Sequence, residues 1–103
     1  MLRSFKAEFF KALAHPVRIR LLDALREGEQ TVGDLQMALG VEQSSVSQHL
    51  AQLRTQEVVH ARRDGTSVWY SVTDEALFDI LDLARDIYQR KLSTSRARLR
   101  AGS

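Results

Sequence analysis

The sequence predicts a mainly α domain carrying one small β-hairpin, an α+β arrangement ordered as four helices, two strands and a last helix (ααααββα). Three observations carry that prediction. Apolar residues recur at helical spacings of three and four over the first half of the chain, the period drops to two after Glu57, and it returns to the helical value after Asp74.

The bulk numbers set the frame. The chain has 103 residues, of which 44% are apolar and 27% charged, the profile of one soluble domain with its own core. It has no cysteine, which excludes disulfides, thiolate metal sites and cysteine nucleophiles. No apolar run approaches the roughly 20 residues that span a bilayer, and the N-terminus mixes acids and bases into its apolar part. The chain therefore reads as cytoplasmic, with no membrane partner. Net charge is only +2, so distribution matters more than the sum. Positive charge collects at Arg18 and Arg20, at Arg62 and Arg63, and at Arg96, Arg98 and Arg100, while acids concentrate between Asp74 and Asp86.

Leu2, Phe5, Phe9 and Leu13 predict an amphipathic helix over 2–14. His15-Pro16 ends it, because the residue before proline is pushed out of the α region, and Pro16 opens a second helix over 16–27 that stops at Gly28. Thr31-Val-Gly-Asp34 resembles a capping box and opens a short third helix ending at Gly40. The fourth helix, about 43–56, follows a tight turn, which makes this pair a helix-turn-helix. In VVHARRDGTSVWYSV, Asp64-Gly65 predicts a two-residue hairpin turn that pairs Ala61 with Val68 and Val59 with Tyr70, with His60 and Trp69 on the wetter face. Thr73 or Asp74 caps a last helix whose stripe runs through Leu77, Ile80, Leu81, Ala84, Ile87, Tyr88 and Leu92. The ordered domain is expected over 1–92, with 93–103 a basic tail that frays.

The fourth helix is the informative one. At 100° per residue, Leu50 and Leu53 fall within about 40° of Val46, and the three fix its buried side. Ser44, Gln48, Ala51 and Thr55 point away, Ser45, Ser47 and Gln52 lie on the flanks, and His49 stands near the boundary. A solvated helix face more often carries Lys, Glu and Arg. Short amides and hydroxyls suit a helix that enters a major groove, where Gln can pair with adenine and Ser with several partners. With the arginine-tipped hairpin behind it, the whole reads as a winged helix-turn-helix.

The runs FKALAHPVRIRLLDAL, TVGDLQMALGVEQSSVSQHLAQLR and VVHARRDGTSVWYSV, in that order, resemble the ArsR (arsenic-repressor-like) family of transcription regulators over residues 5 to about 90. The resemblance implies a homodimeric winged-helix repressor that releases an operator when an inducer binds. It places DNA contacts on Gln43, Ser44, Ser45, Ser47, Gln48 and His49 and on a wing from Arg62 and Arg63 through Gly65 and Thr66, to which Thr31 and Gln52 are added as flanking candidates. Three places depart from the family pattern. Glu42 stands where a capping Ser is frequent, Ser44 where Pro is frequent, and Gln56-Glu57 where Ala-Gly is usual.

The family's metal-sensing pattern is not matched. Thr31 and Gly33 occupy the positions of its two thiolates, and on the last helix Asp74 is followed by Ala76, Ile87 and Arg90 where histidines and a glutamate would stand. No metal and no cofactor is expected. The rival readings are a metal-responsive regulator using His15 or carboxylates such as Asp79, Asp82 and Asp86, and a winged-helix module that binds protein. An enzyme would need a converging nucleophile, base and oxyanion donor, which the pattern lacks.

The terminal helices carry more apolar stripe than a small core needs. Phe5, Phe9, Leu13, Ile80, Ala84, Ile87 and Tyr88 are expected to pair across a two-fold axis. A dimer would set two recognition helices about one DNA turn apart on an inverted-repeat operator, and an unidentified small effector could act by changing the angle between the halves.

Overall fold

A computed structural model describes residues 1–102. Five helices and a three-stranded sheet follow in order: α1 (Leu2–Leu13), α2 (Pro16–Ala24), a 3₁₀ turn (Leu25–Glu27), β1 (Gln30–Thr31), α3 (Val32–Leu39), α4 (Gln43–Thr55), β2 (Val59–Asp64), β3 (Ser67–Val72) and α5 (Ala76–Gly102). This is a winged helix-turn-helix.

Local chemistry accounts for the boundaries. His15 is extended before Pro16, and its ring Nδ1 accepts the Val17 N–H at 3.1 Å, capping α2. Thr31 and Asp34 form the reciprocal capping box of α3. Gly40 ends α3 in the left-handed region at φ 68°, where glycine has no Cβ to clash. At the start of α5, Asp74 Oδ1 accepts the Ala76 N–H at 2.9 Å. Thr73 instead donates its hydroxyl to the Glu57 and Val58 carbonyls, tying the sheet end to the α4–β2 junction.

The core gathers one face from each of the four N-terminal helices, with Leu21, Leu22, Leu35, Val46, Leu50 and Leu53 fully buried, and closes on Val59 from the sheet and Leu77 from α5.

Three sequence expectations need revision. The hairpin pairs Ala61 with Tyr70 and Val59 with Val72, not with Val68 and Tyr70, so the two-residue turn is Gly65-Thr66. A turn at Asp64-Gly65 of the expected kind would force Asp64 to positive φ; only Gly65 takes it, at 63°. The slip is two residues, so every side chain keeps its face. Second, Gln30-Thr31 adds a short third strand beside β3. Third, α5 continues to Gly102 where fraying was expected from 93 on; no proline interrupts it, and Arg, Ala and Leu are good helix formers. All its residues from 93 to 102 are exposed, and Ser103 lies outside the described residues.

At the junction of α4 and β2, Glu57 takes φ 58°. It stands where the resembling family usually has glycine, so a side chain occupies a left-handed position.

Candidate nucleic-acid interface

Helix α4 presents the expected surface. Val46, Leu50 and Leu53 have no exposed area and fix its orientation. Gln43, Ser44, Ser47, Gln48, Ala51, Gln52 and Thr55 are exposed, while Ser45 and His49 are half-buried. Before Arg54 the helix carries neither Lys, Arg, Asp nor Glu. Glu42 precedes it as N-cap residue, with no capping hydrogen bond from its side chain.

His49 is held from behind. Arg18 Nε donates to its Nδ1 at 3.1 Å, and its ring centroid lies 4.2 Å from that of His15. Burial, with the charges of His15 and Arg18 beside it, holds the His49 imidazole below the ordinary histidine value. The neutral ring accepts at Nδ1, which leaves its proton on Nε2 as a donor. The two histidines had no sequence spacing to join them; the fold does. Arg18 also donates to the Ala12 carbonyl at 3.1 Å, and Arg20 donates to the Leu39 carbonyl at 2.6 Å. These two arginines therefore brace the helix-turn-helix, the half-buried Arg18 against α1 and His49 and the exposed Arg20 against the end of α3.

Thr31 is largely committed elsewhere. Its hydroxyl accepts the Asp34 N–H at 3.1 Å, and its backbone lies in β1. On the wing, Arg62 is occupied by Glu29, with Nε to Oε2 at 3.0 Å and Nη2 to Oε1 at 3.1 Å. Sequence reading missed Glu29, because only the unpredicted strand β1 brings it beside the hairpin. Arg63, Gly65 and Thr66 are exposed at or near the tip, and among the described residues Arg63 makes no ion pair.

The terminal helices divide the expected dimer residues. Leu13 is only 6% exposed and belongs to the intrachain core, since its helix row turns toward α4. Phe9 and Ile80 are half-buried, whereas Phe5 and Tyr88 are each 63% exposed and Ala84 and Ile87 are also open. Phe10, Leu83 and Leu92 join them as exposed apolar residues outside the expected set. Between α1 and the base of α5, Phe5, Phe9, Phe10, Val58, Leu77 and Ile80 line an apolar cleft of about 320 Å³. Arg26 anchors α5 to α2, bonding Asp23 at 3.0 Å and Asp82 at 2.8 Å with its guanidinium 5.1 Å from the Phe78 ring centroid. The hydrogen bond from Arg26, with the charges of Arg26 and Arg85, holds the Asp82 carboxyl below its usual range.

The positions of the family's metal ligands do not fit a metal ion. Thr31 is a cap, Gly33 has no side chain, and Asp74 caps α5 beside Ala76. Among the described residues no three His, Asp or Glu side chains gather as a metal site. Of the His15 and carboxylate alternative, His15 Nδ1 accepts the Val17 N–H, and Asp82 and Asp86 pair with Arg26 and Arg85. Among the described residues no helix is long and apolar enough to cross a membrane.

Comparison with known proteins adds to this geometry. The family model for bacterial regulatory proteins of the arsR family matches residues 15–61. The HTH-type transcriptional regulator Rv0081 of Mycobacterium tuberculosis is 46% identical over 93 residues, covering 89% of this chain and 82% of that one. Its crystal structure superimposes with a TM-score of 0.80 over 90% of this chain and 94% of the other. A biofilm growth-associated repressor of Xylella fastidiosa is 34% identical over 80% of this chain and 72% of its own length. A homodimeric winged helix-turn-helix DNA-binding domain of Mycobacterium bovis aligns at 30% identity with a TM-score of 0.80, over 90% of this chain and 86% of that domain.

Proposed function

Since this chain belongs to the ArsR family of bacterial regulatory proteins, and is a DNA-binding transcriptional regulator rather than an enzyme, we propose that it is a cytoplasmic repressor that binds an inverted-repeat operator as a homodimer. The observation that carries this reading is the exposed amide-and-hydroxyl face of α4, set against three fully buried aliphatic side chains. Gln43, Ser44, Ser47, Gln48 and Gln52 read base edges in the major groove, with Ser45 and the His49 Nε2 donor at the margin. Arg63, Gly65 and Thr66 carry the wing to the phosphate backbone or the neighbouring minor groove. Thr31 contributes through its backbone position, its hydroxyl being a cap.

Dimerisation uses the outward faces of α1 and α5. Phe5, Ile87 and Tyr88 are large apolar side chains left largely open to solvent on these two helices, which a partner copy would cover. The M. bovis domain, which is homodimeric, supports the same assembly here. Two recognition helices then lie about 34 to 36 Å apart. A small effector of unidentified chemistry, bound near α1 and α5, changes their separation and so the affinity.

Sedimentation, together with footprinting on the DNA upstream of the chain's own gene, tests the proposal. The expected result is a dimer protecting two half-sites one helical turn apart. A monomer at micromolar concentration, or equal binding to palindromic and scrambled duplexes, overturns it.

A further inference from the structure

Glu29 sits between α2 and β1, outside the surfaces assigned above to DNA, yet it makes a fork-to-fork ion pair with the wing. The strand order β1-β3-β2 places Thr31, Trp69 and Arg62 in one row across the sheet. Side chains alternate along a strand, so Glu29, two residues ahead of Thr31, continues the face that this row shows. Arg62 reaches it by crossing β3. Both its bonds, at 3.0 and 3.1 Å, aim the guanidinium at the root of the sheet and away from the Gly65-Thr66 tip.

The chemistry favours the hold. Two parallel bonds between guanidinium and carboxylate are directional and charge-assisted. Arg62's hydrogen bonds, helped by its charge and that of His60, hold the Glu29 carboxyl below the ordinary carboxylate range, so it stays ionised at neutral pH. Asp64 lies a further 3.8 Å from Arg62 Nη1. The pair has no net charge, and Asp64 offsets it further, which leaves Arg63 as the wing cation directed to solvent.

We propose that Glu29 is a specificity-determining residue: it holds Arg62 off the phosphate backbone, so each wing supplies one cation where the sequence shows two. This rests on the reading of the hairpin as a DNA-contacting wing. Phosphate contacts strengthen binding to every sequence alike, whereas base contacts on α4 distinguish sequences. Withholding a cation lowers background binding and leaves base readout a larger share of the whole.

Salt titrations by fluorescence anisotropy, on a random-sequence duplex and on the chain's own upstream DNA, test this. Glu29→Gln is expected to steepen the slope of log affinity against log salt by about 0.9 for each wing, and to tighten random DNA more than upstream DNA. Adding Arg62→Gln to Glu29→Gln is expected to return the slope to the wild-type value. Arg62→Gln alone is expected to change the slope by less than half as much as Arg63→Gln does. If Glu29→Gln tightens binding equally with and without Arg62→Gln, simple removal of a negative charge explains it and the proposal falls. If Arg62→Gln alone matches Arg63→Gln, Arg62 already sits on phosphate and the proposal falls again. A slope untouched by Arg63→Gln and by every other variant takes the hairpin off DNA, which overturns the wing reading as well and is distinct from the first two results.

Discussion

Helix α4 rests on Val46, Leu50 and Leu53, all without exposed area, and shows solvent a row of neutral donors and acceptors; the hairpin of β2 and β3 is anchored at its base by Val59 and shows solvent the guanidinium of Arg63 near its far end. One surface is fixed by packing and neutral. The other is set by turn geometry and ion pairing and is charged. The difference separates two tasks that any sequence-specific binder must combine. Base readout needs atoms placed to within tenths of an ångström, which buried aliphatic contacts provide, whereas phosphate contact tolerates a looser, salt-sensitive arm.

The contrast can be broken first at the support of α4. Leu50→Ala removes a fully buried side chain and is expected to destabilise the domain by about 2 to 5 kcal/mol, seen as a lowered denaturant midpoint, with loss of upstream-DNA binding at temperatures where wild type binds. A stability loss well under that range would mean the helix is not held by its aliphatic face.

Gln48→Ala sharpens the same contrast without touching the core. It is expected to weaken the operator complex by about 1 to 3 kcal/mol and random DNA hardly at all. Equal losses on both duplexes would move Gln48 from base readout to backbone contact.

Between the two regions, Glu57 holds its left-handed conformation without the freedom of glycine. Glu57→Gly is expected to stabilise the fold by about 1 kcal/mol, raising the melting temperature by roughly 4 to 8 °C in a domain of this size. A fall in melting temperature would show that the Glu57 side chain contributes more than its backbone costs.

The smallest effect concerns pH. His49 is neutral in the fold and its value is depressed, first by burial. The unfolded chain takes up a proton near the ordinary histidine value of about 6.5, so the unfolded state binds more protons as pH falls. Stability from this group is therefore fully present above that value and is lost below it. Melting curves at about pH 7.5 and about pH 5.5 are expected to show a smaller drop for His49→Gln than for wild type, and identical drops would remove His49 as the cause. The carboxyls held low by Arg62 and Arg26 act only at more acid pH.

Much of this was legible in the residues because the signals are local. A proline at a helix start, a reciprocal Thr31–Asp34 cap, a glycine stop and an aliphatic triplet each act within a single helix or at its ends, and the structure contains all four. What escaped depends on residues far apart along the chain. Leu13 packs inward because α4 arrives beside it; Arg62 turns aside because β1 joins the sheet; His49 meets His15 and Arg18 because α2 crosses behind α4. The hairpin register escaped for a different reason. Asp64-Gly65 and Gly65-Thr66 both offer a glycine to the turn, and alternation is blind to a slip of two.

That same indifference makes the wing adjustable in length. Two residues added to each strand would advance the tip by roughly 6 to 7 Å along the hairpin while returning Arg63 and its neighbours to the sides they now occupy, whereas a single residue added to each would rotate the tip's chemistry to the reverse side. A regulator of this build can thus lengthen its arm in pairwise increments to follow a wider or more distant groove, leaving the reading helix untouched.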